Sequence, residues 1–169
     1  APADPVHRDG RRLDAGKALE HFLEACRLVA AHHAGHWVCR TLNPRSFFQP
    51  APSDKLALYP LTSAEREGQV LKSIAGTPGY IAPEAWEPAK ADPSHDVYAL
   101  GAILYAWLSG RHPFDEVETV QEIRDAAKAG SLPDLSREFP EVPPGAGGLI
   151  AKATARRASL EKDSGSGTK

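Results

Sequence analysis

The stretch Ser94–Gly110, SHDVYALGAILYAWLSG, constrains this chain more than any other. Val97, Leu100, Ile103, Leu104, Trp107 and Leu108 put apolar side chains on every face of a helix, so the segment belongs inside a core. Its apolar run falls well short of the roughly 18 residues that suggest a membrane span. Asp92 or Ser94 can cap the start, Pro93 suits the first turn, and Gly110 and Pro113 end it. Asp96 is the polar exception. Buried in the first turn, it needs donors from the helix amides or from the N–H groups of a neighbouring loop. The expectation is a small, mainly α domain wrapped around one central helix.

With 169 residues the chain can form one domain that buries roughly 70% of its unfolded surface. A net charge of −2 supplies no basic field for nucleic acid or anionic lipid. No segment is apolar for long enough to span a membrane, and no signal peptide is visible. Cys26 and Cys39 read as reduced core thiols, which favours a cytoplasmic chain or the cytoplasmic domain of a larger protein. The chain has no methionine, even at its first position, as expected of a fragment or a processed product.

Residues 1–14 are rich in Pro, Asp and Arg and read as an exposed lead-in. Between Ala15 and Ala34, the residues Leu19, Phe22, Leu23, Cys26, Val29 and Ala30 recur at three- and four-residue steps. That spacing predicts a helix with Asp14 as cap and Gly35 as stop. His33 falls on the same stripe and reads as a hydrogen-bonded core histidine. Ser46–Gln49 and Lys55–Leu58 read as the two strands of one short hairpin. Residues 61–93 show no sustained period; such stretches inside compact domains are usually functional. Asp115 caps an expected helix through Ala129, and a last helix is expected from about Ala146 to Leu160. Residues 161–169 read as a flexible tail.

Four motifs then fall in a telling order. Gly76–Glu84, GTPGYIAPE, resembles the end of a kinase activation segment, and Asp96–Gly101, DVYALG, resembles the start of the kinase central helix. His112-Pro113-Phe114 resembles the turn after that helix, and His33–Phe48 resembles a helix end followed by the catalytic loop. From Leu13 to Ala155 the chain resembles the C-terminal lobe of a Ser/Thr protein kinase, of bacterial type. The resemblance implies the helical lobe of an α+β kinase-like fold over residues 15–160: a central helix, helices around it and one short β-hairpin.

The resemblance also locates the departures. Aligned on Arg40 and Pro44, the catalytic-base position is Thr41, the lysine position Asn43, the metal-binding Asn position Ser46 and the Asp of Asp-Phe-Gly Leu58. A threonine hydroxyl does not accept a proton as a carboxylate does, and leucine offers Mg²⁺ no oxygen. No glycine-rich loop and no lysine strand precede residue 13. The resemblance therefore implies a pseudokinase with no metal site and neither ATP nor Mg²⁺ as cofactor. It would act by binding a protein partner or its missing N-terminal lobe. Two alternatives stand beside it: a kinase whose missing lobe supplies the nucleotide and which transfers phosphate weakly, and a truncated chain with no selected activity.

Further expectations attach to single residues. In the family the Arg40 position meets a phosphorylated side chain, for which Thr62, Ser63 and Ser73 are candidates; the plainer role is bonding nearby carbonyls or carboxylates. Thr77 loses its usual Asp and Lys partners to Thr41 and Asn43. Glu84 would pair with an arginine, for which Arg156 or Arg157 can substitute. Ser159, in RRASL, resembles a basophilic phosphosite. His7-Arg8-Asp9 spells the catalytic tripeptide, but it lies ahead of the first helix with Asp14 where the Asn should be. His32, His33, His36 and Cys39 lack the second ligand pair a zinc site wants. Phe47, Phe48, Leu56 and Leu58, with Tyr59, lie where an upper lobe would pack, so the chain is expected to dimerise, capture that lobe or aggregate.

Overall fold

A computed structural model describes residues 12–59, 61–87, 89–130 and 132–155. Its axis is α2, Pro93–Ser109. The Asp92 carboxylate accepts from the Ser94 amide, Pro93 occupies the first turn, and Gly110 closes the helix in the left-handed conformation at φ 75°. Every residue from Tyr98 to Ser109 is buried; Val97, 44% exposed, is the apolar residue that escapes. Trp107 is fully buried, with His21 and Phe47 set edge-on to its ring at 6.2 and 5.9 Å.

The first helix, α1, spans Ala15–Ala34 with Asp14 accepting from the Gly16 and Lys17 amides. Its buried face is Ala18, His21, Phe22, Ala25 and Val29. The apolar spacing had put Leu23 and Ala30 on that face, yet both are exposed, because the stripe that meets α2 runs through the smaller alanines and His21. On the other side of α2 lies α4, Pro144–Ala153. A Cβ at Gly101 would stand 2.8 Å from the Ala153 Cβ and 2.9 Å from the Thr154 Cγ2, so the missing side chain lets the end of α4 rest on α2.

Helix α3 is Val120–Ala129 and begins four residues later than an Asp115 cap requires. Residues 112–117 form successive turns instead, with Asp115 N–H donating to the His112 carbonyl and Val117 N–H to that of Phe114. The true cap is Thr119, in a capping box with Glu122. The expected last helix likewise starts earlier, at Pro144, and is α-helical through Ala153; residues 156–160 lie outside the described residues.

Among the described residues, two two-stranded antiparallel ladders accompany the helices. The expected hairpin is present as β2, Phe47–Phe48, and β3, Ala57–Leu58, with Phe47 opposite Leu58. The second ladder joins β1, Trp37–Val38, to β4, Glu65–Arg66, and was not expected. It carries the unperiodic stretch 61–93 on a fixed path. Leu71 N–H donates to Ala89 and Ala91 N–H to Gln69, and Val38, Leu71 and Ala91 form a small second core. Among the described residues no helix is long and apolar enough to cross a membrane.

Candidate functional site

The site is built on Asp96. Its side chain is 1% exposed and its Oδ2 accepts the Cys39 amide at 2.7 Å and the His33 Nε2–H at 2.8 Å; its Oδ1 accepts the Arg40 amide at 2.8 Å. The required donors thus come from the loop after α1 and from a half-buried His33 at the end of that helix, not from the helix amides. Burial and the neighbouring carboxylate hold the Cys39 thiol well above its ordinary range, so it stays protonated. One carboxylate thus ties the end of α1 and the loop after it to the start of α2.

Arg40 radiates from that anchor. Its backbone is in the left-handed region at φ 67°, which turns the side chain inward to 8% exposure. Nη2 donates to the Ser73 carbonyl at 2.7 Å, and Nη1 lies 3.6 Å from Glu65 Oε1. In the unmodified chain a carbonyl and a carboxylate thus hold it to the segment. The candidate acceptors Thr62 and Ser73 are exposed and Ser63 is half-buried. Glu65, unremarked in the sequence because it sits in a two-residue strand without period, is the partner that reasoning missed.

Beyond Arg40, the loop is occupied with itself. Asn43 caps a short 3₁₀ turn, Pro44–Ser46, accepting from the Arg45 amide at 2.9 Å, while Ser46 Oγ accepts the Asn43 amide at 3.1 Å. Asn43 Nδ2 also donates to Thr77 Oγ1 at 3.2 Å, so Thr77 keeps a tie to the loop through an uncharged amide. Thr41 is half-buried. Leu58 is locked opposite Phe47 in β3, and the Tyr59 amide donates to the Ser46 carbonyl at 2.9 Å. The positions Thr41, Asn43, Ser46 and Leu58 are therefore brought together, and none carries a carboxylate or a charge.

The hairpin is less open than expected. Phe47 is fully buried against Trp107 and Leu56 is 7% exposed, its amide donating to Glu24 Oε2 at 2.9 Å, so both are covered from within. Phe48 and Leu58 are partly buried, and Tyr59, 40% exposed, stacks on the Phe48 ring at 4.2 Å. The histidines do not converge either: His32 Nδ1–H donates to the Leu28 carbonyl, His33 serves Asp96, and His36 turns to Glu67. Among the described residues no group of His, Cys, Asp and Glu could hold a metal ion.

The segment after Ser73 is clamped by a residue outside the loop. His112 Nε2–H donates to the Pro78 carbonyl at 2.8 Å, and its Nδ1 accepts the Phe114 amide at 3.1 Å. Its ring stands where a side chain at residue 79 would be: a Cβ on Gly79, at φ 87°, would lie 1.7 Å from Nε2. Past it, the 3₁₀ turn Pro83–Trp86 places Glu84 beside His95 and Tyr98, half-buried and with no hydrogen bond or ion pair among the described residues. Arg156, Arg157 and Ser159 lie outside the described residues, as does His7-Arg8-Asp9.

The protein kinase domain model matches residues 55–157, more than half of the chain. The chain belongs to the protein kinase family. It is 34% identical over 140 residues to calcium-dependent protein kinase 7 of Oryza sativa, covering 80% of this chain and 26% of that protein. It is 34% identical over 132 residues to serine/threonine-protein kinase PknL of Mycobacterium tuberculosis, covering 76% of this chain and 33% of the relative. With serine/threonine-protein kinase H1 of Mus musculus the identity is 31% over 135 residues, 76% of this chain and 31% of the relative. The chain thus spans a quarter to a third of these kinases, which come from plant, bacterium and mouse, so the likeness does not single out a bacterial type.

Proposed function

We propose that this kinase-family chain is a pseudokinase C lobe, one that holds a protein partner and does not transfer phosphate. The observation that carries the reading is Leu58. The motif alignment puts it where the family has a metal-binding carboxylate, its side chain offers Mg²⁺ no oxygen, and its backbone pairs in register with Phe47. Thr41 and Ser46 repeat the pattern: the Ser46 hydroxyl is engaged with the Asn43 amide, and the base position holds an alcohol. What persists is the frame — Asp96, Arg40, Thr77 and the His112 clamp — which shapes a surface without supplying charge for catalysis. A cytoplasmic setting suits the free Cys26 and Cys39.

The second reading, weak phosphotransfer with an upper lobe, draws on the relatives, whose names are those of kinases. Thermal unfolding with and without Mg-ATP separates the two. A ligand at a hundredfold excess over its Kd stabilises a native chain by about 2.7 kcal/mol. No rise in Tm is expected at millimolar Mg-ATP; a clear rise would favour the enzyme.

A further inference from the structure

Where α2 ends, the chain folds back through His112–Val117 and a cleft of about 310 Å³ opens against the loop that carries Pro133 and Glu138. That size is at the lower end of ligand pockets, roughly 300–1,000 Å³, and suits a few side chains of a peptide. Its floor is apolar: Phe114 is 8% exposed, and Pro133 and Val117 lie alongside. The rim is acidic. Asp115, Glu116 and Glu138 line it against one cation, Arg111, which is already committed to Glu138 and to the Tyr105 hydroxyl.

Asp115 and Glu116 are exposed and form no close ion pair among the described residues, Glu116 feeling the Arg111 charge only at longer range. Three carboxylates against one guanidinium around an apolar floor leave an acidic excess, which is complementary to one kind of ligand: a cation with an apolar neighbour. We propose that this cleft docks a partner protein's peptide segment in which an arginine or lysine stands next to an apolar side chain. The cation would sit between Asp115 and Glu116, and the apolar side chain over Phe114. The inference rests on the partner-holding reading above and gives that partner a chemistry.

The test uses the full chain and a dye-labelled peptide, carboxyfluorescein-Gly-Arg-Arg-Leu-Gly-amide, followed by anisotropy. Binding is expected. It should weaken about tenfold in D115N/E116Q and fall similarly between low and high salt, since exposed charges are screened beyond about 10 Å at 0.1 M. Both substituted side chains are exposed, so an unchanged Tm for the variant certifies its fold. A peptide with Ser for Leu should bind several-fold more weakly, and one with Glu-Glu for Arg-Arg should not bind. Equal affinity for D115N/E116Q and the intact chain would overturn the site. So would an intact chain that ignores the peptide while R156E/R157E binds it, because the occupant would then be the chain's own tail. Either failure, with Mg-ATP still giving no shift, removes this cleft and leaves the pseudokinase reading; a Mg-ATP shift removes that reading itself.

Discussion

Replacing Asp96 by alanine is expected to bring the chain close to unfolding. The carboxylate is 1% exposed and satisfies the Cys39 and Arg40 amides and the His33 ring at once. Removing it strands two backbone donors and one side-chain donor, and breaking a buried charged network of this kind costs about 3–5 kcal/mol. Single domains have only about 5–15 kcal/mol in hand. Asp96→Asn keeps one acceptor oxygen and should lose less. Val97→Ala, at the exposed next position, should lie within about 0.5 kcal/mol of the parent. Urea midpoints of the three variants check the order; an Asp96→Ala midpoint equal to that of the parent would mean that the loop is held by something else.

Core truncation on α2 should be nearly as costly. Trp107 and Leu104 are both fully buried. Trp107→Ala is expected to lose about 3–5 kcal/mol and Leu104→Ala about 2–5 kcal/mol, as transfer and cavity costs add. Trp107→Phe is the informative companion. The indole Nε1 has no hydrogen-bond partner among the described residues, so phenylalanine forfeits volume but no bond seen there and should cost much less than alanine. Denaturant titration checks the series, with a Leu104→Ala midpoint unchanged from the parent as the result that would refute a core built on α2.

How far the sequence went depends on how local each determinant is. The helix α2 was legible because its apolar residues leave no polar face and because Asp92-Pro93 and Gly110 mark both ends. The same holds for α1 between Asp14 and Gly35, although its buried face was misplaced, since alanines and His21 carry as much of the packing as the larger residues. The cap of α3 was readable and missed: Thr119-Val120-Gln121-Glu122 is a capping box, and Asp115 drew attention from it. The second ladder was not readable, because strands of two residues have no period to detect.

The site divides in the same way. The need of Asp96 for loop donors followed from burying a carboxylate in an apolar helix, and Arg40, Thr41, Ser46 and Leu58 followed from the motif alignment. The Arg40–Glu65 contact, the tie of Asn43 to Thr77 and the insertion of His112 at Gly79 join residues about 25 to 34 positions apart, and each depends on where two loops come to rest. Nothing local in the chain announces them.

The central claim is that the catalytic positions of this kinase-family chain are chemically empty. Amide NMR spectra recorded while Mn²⁺ with ATP is added in sub-stoichiometric amounts test it most directly, because a bound Mn²⁺ broadens nearby signals selectively. The account predicts that the amides of Thr41, Ser46 and Leu58 broaden no more than exposed amides elsewhere, such as those of Lys17 and Lys152. Selective loss of the Ser46 and Leu58 signals, reversed by excess Mg²⁺, would place a divalent ion at the loop and contradict it.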